Sequence, residues 1–149
     1  MAGNLLIGTW RLVSWTQEAS DGHITSPFGP DATGFLTYTA DGHMAVMITR
    51  ASRRQFATPD LLAGSVEEKV GAAESYLGYG GTYELRDHSV LHHVTHSLFP
   101  NWEGTHQERL MQLEGDRLTL STRPTLLAGE MQTAHLTWQR AGSATVPPS

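Results

Sequence analysis

The sequence predicts an all-β fold: one antiparallel up-and-down barrel of about eight strands, with one helix at about residues 65–77 covering an end. Three features support this prediction. Apolar and polar residues alternate in short runs along most of the chain, and turns containing glycine or proline separate the runs. Only one segment has the periodicity of a helix. A barrel of this size has room inside for one small ligand.

The length of 149 residues suits one domain with a core that needs no disulfide. We expect residues 1–149 to form that domain, with about 5–140 ordered and 141–149 a flexible tail. The chain has no cysteine, and we find no signal peptide and no membrane span, so we expect a cytoplasmic protein without a membrane partner. A net charge of −5 without a basic cluster argues against nucleic acid as a partner.

The first strand is predicted at residues 9–17, and a hairpin follows around a turn at Asp41 and Gly42. If Tyr38 pairs with Met44, the period of two divides the hairpin into an inner and an outer face. The inner face then holds Leu36, Tyr38, Met44, Val46 and Ile48.

The one predicted helix begins at Ser65, which forms a capping box with Glu68 three residues later. It ends before Gly78 or Gly80. An apolar stripe at helical spacing favours a lid or plug over the end of the barrel. That stripe consists of Val66, Val70, Ala73 and Leu77.

Five further strands are predicted at residues 79–85, 89–99, 104–113, 116–122 and 133–140. Pairing Tyr83 with His92 across the intervening turn assigns the inner face of two of them. That face holds Tyr83, Leu85, Val90, His92, Val94 and His96. On the next strand, the residues predicted to point inward are Gln107, Arg109, Met111 and Leu113.

Gly8-Thr9-Trp10 on the first strand and Arg140 on the last resemble the Gly-X-Trp motif and the closing arginine of lipocalin-type barrels. GTWRLVSW, PFGPDATGFLTYTADGHM, YGGTYEL, LHHVTHSLFPNWEGTHQER and DRLTLST are similar to the bacterial and fungal lipocalin-like domain family. The resemblance covers roughly residues 5–140 and implies a calycin-type barrel with a cavity, but no single shared reaction. Trp10 and Arg140 are then structural, because a cation over the indole face closes the barrel base.

An inward Arg109 is the most informative candidate, because a guanidinium is costly to bury without an anionic or strongly polar partner. We expect a ligand oxygen to be that partner, in a polar patch with His92, Tyr83 and Tyr38. The residues predicted to bind ligand are Tyr38, Met44, Val46, His96, Gln107, Met111 and Ser14. In the alternative interpretation, these tyrosines and histidines only bond the barrel backbone, and Arg109 pairs with Glu108 or Glu103.

The chain has eight histidines, and His88, His92 and His96 repeat at a spacing that would align metal ligands on a helix. The neighbouring β-branched residues instead indicate a strand, along which four residues span about 13 Å. Because that separation is too large for one ion, we expect no metal. We also expect no other cofactor.

Two functions of different classes fit these residues. One is a binding protein for a small apolar or aromatic molecule that carries a polar oxygen. The other is a cofactor-independent isomerase, cyclase or lyase that acts on a biosynthetic intermediate. In that enzyme His92 transfers a proton, Arg109 stabilises an oxyanion and Tyr83 assists. The apolar outer side of the hairpin at Ala45 and Met47 also favours a homodimer.

Overall fold

A computed structural model describes residues 4–142; the part of the expected tail at 143–149 lies outside the described residues. The helix, α1, spans Val66–Glu74, and a short 3₁₀ turn spans Pro100–Trp102. The strands are β1 Gly8–Ala19, β2 Ile24–Thr25, β3 Thr33–Tyr38, β4 His43–Thr49, β5 Tyr76–Leu85, β6 Ser89–Ser97, β7 His106–Glu114, β8 Arg117–Ser121, β9 Thr125–Leu127 and β10 Glu130–Arg140.

Eight of these strands form a closed barrel in which every neighbouring pair is antiparallel. Strand β1 closes the barrel because it pairs with β3 on one side and with β10 on the other. The two remaining strands, β2 and β9, are short additions to β1 and β10 in segments expected to be loops. The predicted fold class is confirmed.

Both predicted hairpin registers are confirmed, with Tyr38 opposite Met44 and Tyr83 opposite His92. The inner face of the β3–β4 hairpin is buried as expected, and so are Val90, His92 and Val94 on β6. Leu85 was expected on the same face, but it is 40% exposed at the end of β5, where the barrel wall ends. Inner residues therefore form one continuous core through most of the barrel.

A β-bulge in β1 changes which of its residues point inward. The register with β10 shifts between Leu12 and Ser14, and Val13 is left without a partner. One extra residue reverses the alternation, so Trp15 and Gln17 line the interior and Ser14 lies on the opposite face. Contrary to the expectation for a ligand-binding residue, Ser14 therefore points away from the barrel interior and is not part of the cavity lining.

A second bulge, in β6, has the same effect on His96. Gly81 pairs with Val94 whereas Gly80 pairs with His96, so Thr95 is the inserted residue. The alternation beyond Thr95 is reversed, and His96 is exposed on the outside of the barrel. The expectation of an inward His96 is therefore wrong.

Helix α1 has the predicted capping box, in which Ser65 Oγ accepts from the Glu68 N–H at 3.1 Å and the Ser65 N–H donates to Glu68 Oε1 at 2.9 Å. The helix ends at Glu74, earlier than expected, because the chain enters β5 at Tyr76. No helix residue is buried, and Val66 is 80% exposed. The predicted apolar stripe is therefore wrong, and its last member, Leu77, lines the barrel interior from β5.

The closed end of the barrel is built on Trp10, which is fully buried and donates its indole N–H to the Leu6 carbonyl at 2.9 Å. The Arg140 guanidinium lies 4.2 Å from the centre of the Trp10 ring. The same guanidinium donates to the carbonyls of Leu5 at 2.7 Å and Ile7 at 3.1 Å. It therefore holds the N-terminal segment across this end.

Replacing Arg140 with methionine should lower the free energy of unfolding by about 2 kcal/mol, because the cation over the indole and its charged hydrogen bonds are lost. Urea denaturation measures this change. Arg86→Met is the control, since Arg86 makes only an exposed ion pair with Glu84, and it should cost less than about 0.5 kcal/mol. Equal losses in the two variants would contradict the role given to Arg140.

Candidate functional site

The barrel interior contains a cavity of about 120 Å³ with mostly apolar walls. It reaches the surface beside Leu126, which is 67% exposed and belongs to its lining. Apolar lining residues include Leu36, Val46, Ile48, Leu120, Leu136 and Trp138, and the polar ones within the described chain are Gln17, Tyr79, His92, Gln107, Arg109, Thr122 and Thr125.

His92 lies between two tyrosines that come from different strands. Its Nε2 is 2.7 Å from Tyr38 Oη on β3, and its Nδ1 is 2.7 Å from Tyr79 Oη on β5. His92 is 1% exposed and Tyr38 is equally buried. Both ring nitrogens are therefore engaged within the barrel, and the histidine presents no free nitrogen to the cavity.

Burial lowers the pKa of His92 to about 3, and the charges of Arg109 and His93 act in the same direction. Burial also raises the pKa of Tyr38 well above its usual value. At neutral pH the imidazole is neutral and the Tyr38 hydroxyl is protonated. A neutral imidazole has one donor and one acceptor nitrogen, so one tyrosine donates to His92 and the other accepts from it.

Arg109 is the one charged residue of the cavity lining within residues 4–142. On β7 it stands opposite Val90, while Gln107 stands opposite His92. Its guanidinium donates to the Glu108 carbonyl at 3.2 Å and to Gln107 Oε1 at 3.4 Å.

Neither carboxylate proposed as an alternative partner pairs with Arg109. Glu108 Oε1 instead accepts from Arg123 at 2.7 Å on the outer surface. Glu103 accepts a long bond from the Ser97 N–H, at 3.4 Å. Arg109 therefore carries a positive charge that no carboxylate of the described lining offsets.

The structure brings together four of the predicted residues, Val46, His92, Gln107 and Arg109, in the cavity lining. Tyr38 lies behind His92. Met44 belongs to the hydrophobic core and Met111 packs against it, and neither is part of the cavity lining.

Tyr83 does not join the cavity. Its hydroxyl donates to the Thr39 carbonyl at 2.8 Å and accepts from Asn4 Nδ2 at 2.7 Å. The catalytic role expected for Tyr83 is therefore not supported, and the backbone-bonding alternative describes it.

Most lining residues were not among the candidate site residues predicted from the sequence, and three of those missed bear on the chemistry of the site: Tyr79, Trp15 and Gln17. Tyr79 could have been predicted from the sequence. It lies four positions before Tyr83 in the same strand, so both side chains share one face. Trp15 and Gln17 were hidden by the bulge at Val13, which no pattern in the sequence reveals.

Trp138 contributes a further polar group. Its indole Nε1 is the one buried side-chain nitrogen or oxygen without a hydrogen-bond partner in the described part of the chain. The residue is 1% exposed and belongs to the cavity lining. A buried donor without a partner costs about 1–3 kcal/mol, so this is a notable exception in an otherwise satisfied interior.

Among residues 4–142, no group of three or more histidine, cysteine, aspartate or glutamate side chains is arranged to hold a metal ion. In the same part of the chain, no helix combines the length and the apolar character that crossing a membrane requires.

Because His92 is buried in its neutral form, the free energy of unfolding should fall as the pH is lowered. An unfolded imidazole takes up a proton near pH 6.5 but the folded one only near pH 3, so stability falls as the pH drops through this window. From pH 6.5 to about pH 4, the wild type should lose roughly 3 kcal/mol more than His92→Gln. Urea titrations at several pH values measure the difference.

His23→Gln is the matched control for this measurement, because His23 is exposed and should leave the pH dependence unchanged. The comparison uses slopes against pH, so a general loss of stability in His92→Gln does not affect it. Parallel slopes for wild type and His92→Gln would show that His92 is not held neutral.

Comparisons with known proteins relate this chain to a family, to a curated protein and to a solved structure. The family model described as a lipocalin-like domain matches residues 7–141. The 4'-hydroxy-3'-methoxypropiophenone carrier protein ppsC of Aspergillus oryzae is 35% identical over 106 residues, which are 65% of this chain and 96% of the relative. A lipoprotein, YedD, from Klebsiella pneumoniae aligns with 97% of this chain and 78% of its own, with a TM-score of 0.44 and 14% identity.

Proposed function

The chain belongs to the lipocalin-like domain family, and from this premise we propose that it binds one compact, largely apolar aromatic molecule inside its barrel. A polar oxygen of that molecule meets Arg109. The ligand is held by the apolar walls and oriented by this one charged corner.

The observation that carries the proposal is that the Arg109 guanidinium lines the cavity without a carboxylate partner among the described residues. Arg109 is half-buried, so its guanidinium loses part of its hydration, and no carboxylate of the described lining compensates for that loss. Its two hydrogen bonds, at 3.2 and 3.4 Å, are long for a charged donor and leave most of its five N–H groups free. A ligand oxygen supplies the missing partner.

The size of the cavity supports a ligand with a single ring. Its volume is about 120 Å³, and a closed apolar cavity of about 150 Å³ binds benzene. The similarity to a carrier protein named for a hydroxylated and methoxylated propiophenone supports the same class. Such a ligand combines one aromatic ring with few oxygens, which fits mostly apolar walls and one polar corner.

Binding is favoured over the enzyme alternative by the surroundings of His92. A general base needs a free nitrogen within reach of the substrate and a pKa near the working pH. Both nitrogens of His92 bond tyrosines, and its pKa lies near 3. His92 therefore serves as a fixed part of the cavity wall.

Calorimetric titration with 4'-hydroxy-3'-methoxypropiophenone tests the proposal. The wild type should bind, and Arg109→Met should weaken binding about 10- to 100-fold, because one charged hydrogen bond is lost while the length of the side chain is kept.

Arg123→Met is the matched control, since Arg123 lies on the outer surface and bonds Glu108. It should bind like the wild type. Equal affinity of Arg109→Met and the wild type would contradict the role of Arg109, and the absence of binding to the wild type would contradict this ligand class.

A further inference from the structure

The protons of the Tyr38–His92–Tyr79 chain have one arrangement that leaves no buried donor unpaired. Tyr38 is 1% exposed, and among the described residues its hydroxyl bonds only His92 Nε2. If His92 donated to Tyr38, the Tyr38 hydroxyl proton would be buried without an acceptor, which is unfavourable. Tyr38 therefore donates to Nε2, and the His92 proton is on Nδ1.

The position of this proton determines what Tyr79 does. His92 Nδ1–H donates to Tyr79 Oη across 2.7 Å, so the hydroxyl proton of Tyr79 is not used within the chain. Tyr79 is half-buried and lines the cavity, unlike Tyr38. Because its oxygen already accepts a bond, its O–H becomes a stronger donor through cooperativity.

Three other side-chain oxygens of the lining already accept a hydrogen bond. The amide oxygen of Gln17 accepts from Trp15 Nε1 at 2.8 Å, and that of Gln107 accepts from Arg109. Thr122 Oγ1 accepts from the Ala134 N–H at 2.9 Å. Each of these oxygens therefore already accepts one bond, whereas most of the Arg109 N–H groups and the Tyr79 O–H donate to no described residue.

We propose that the cavity selects the anionic form of an acidic phenol, whose oxygen is bound by the Arg109 guanidinium and the Tyr79 hydroxyl. This inference rests on the proposed function and adds the charge state of the ligand to it. A neutral phenol brings a donor of its own beside a cation, where the nearby oxygens of Gln107 and Tyr79 already accept one bond each. A phenolate oxygen only accepts, and its charge offsets that of Arg109.

The test uses 4-nitrophenol, a single-ring acidic phenol whose anion absorbs visible light and whose neutral form does not. Bound 4-nitrophenol should ionise at least about one pH unit lower than the free compound, which corresponds to about tenfold tighter binding of the anion. Absorbance titrations with and without excess protein measure the shift. The matched compound is 4-nitroanisole, which has the same ring but cannot ionise.

Two variants identify the groups responsible. Tyr79→Phe should reduce the shift while changing the affinity for 4-nitroanisole by less than about twofold, and Arg109→Met should abolish most of it. Tyr83→Phe is the matched control, because that hydroxyl bonds Asn4 and Thr39 away from the cavity lining, and it should keep the full shift. Near-ultraviolet circular dichroism checks that each variant is folded.

The failure of this inference differs from the failure of the proposed function. If both nitro compounds bind but 4-nitrophenol ionises at its usual pH, the cavity binds aromatic molecules without selecting the anion, and the inference is overturned alone. A full shift in Tyr79→Phe would also overturn it. If neither compound nor the propiophenone binds, both proposals are overturned.

Discussion

The hydrogen bonds of His92 to Tyr38 and Tyr79 are the interaction around which the barrel interior is organised. They link β3 to β6, which do not pair through their backbones, and add a side-chain contact between β5 and β6, which do. A polar chain in an apolar interior is stable only when every member is satisfied, because a single unpaired group costs as much as several such bonds contribute. The three side chains therefore fix one another's positions, and with them the shape of this wall.

The same three hydrogen-bonded side chains determine the electrostatics of the cavity. A protonated His92 would add a second positive charge beside Arg109, and burial prevents this by lowering the pKa of His92 to about 3. Arg109 remains the one charge of the described lining at neutral pH. An interior with a single cation and few free acceptors favours ligands that accept hydrogen bonds, whatever their apolar frame.

The fold and the inward positions of His92 and Arg109 could be predicted from the sequence, because both follow from the hairpin turns and from the strict alternation of inward and outward residues along the strands. It failed for Ser14 and His96 because each lies just beyond one inserted residue, which reverses every later position of its strand. The bulge is decided by how β1 and β6 pair with their neighbours and leaves no local signature in the sequence. The hydrogen-bond partners of His92 could not be predicted either, because they depend on distances between strands that are far apart in sequence.

The length and the packing of the helix were overestimated for a related reason. Its capping box and spacing are local properties, and they formed as expected at Ser65 and Glu68. Whether an apolar stripe is buried depends on what lies opposite, and Val66 and Val70 remain exposed. Local rules therefore located the start of the element but not its packing.

The advantage of the proposed phenolate over other oxyanions follows from the balance of desolvation. Arg109 is half-buried, so the cost of its partial desolvation arises during folding, and its contacts with Gln107 and the Glu108 carbonyl hold the guanidinium in place before any ligand arrives. The ligand's own desolvation is then the main remaining cost. A carboxylate concentrates its charge on two oxygens and loses much hydration, whereas a phenolate spreads its charge into a ring that the apolar walls contact. In the proposed complex, one cation in a mostly apolar cavity therefore favours the delocalised anion.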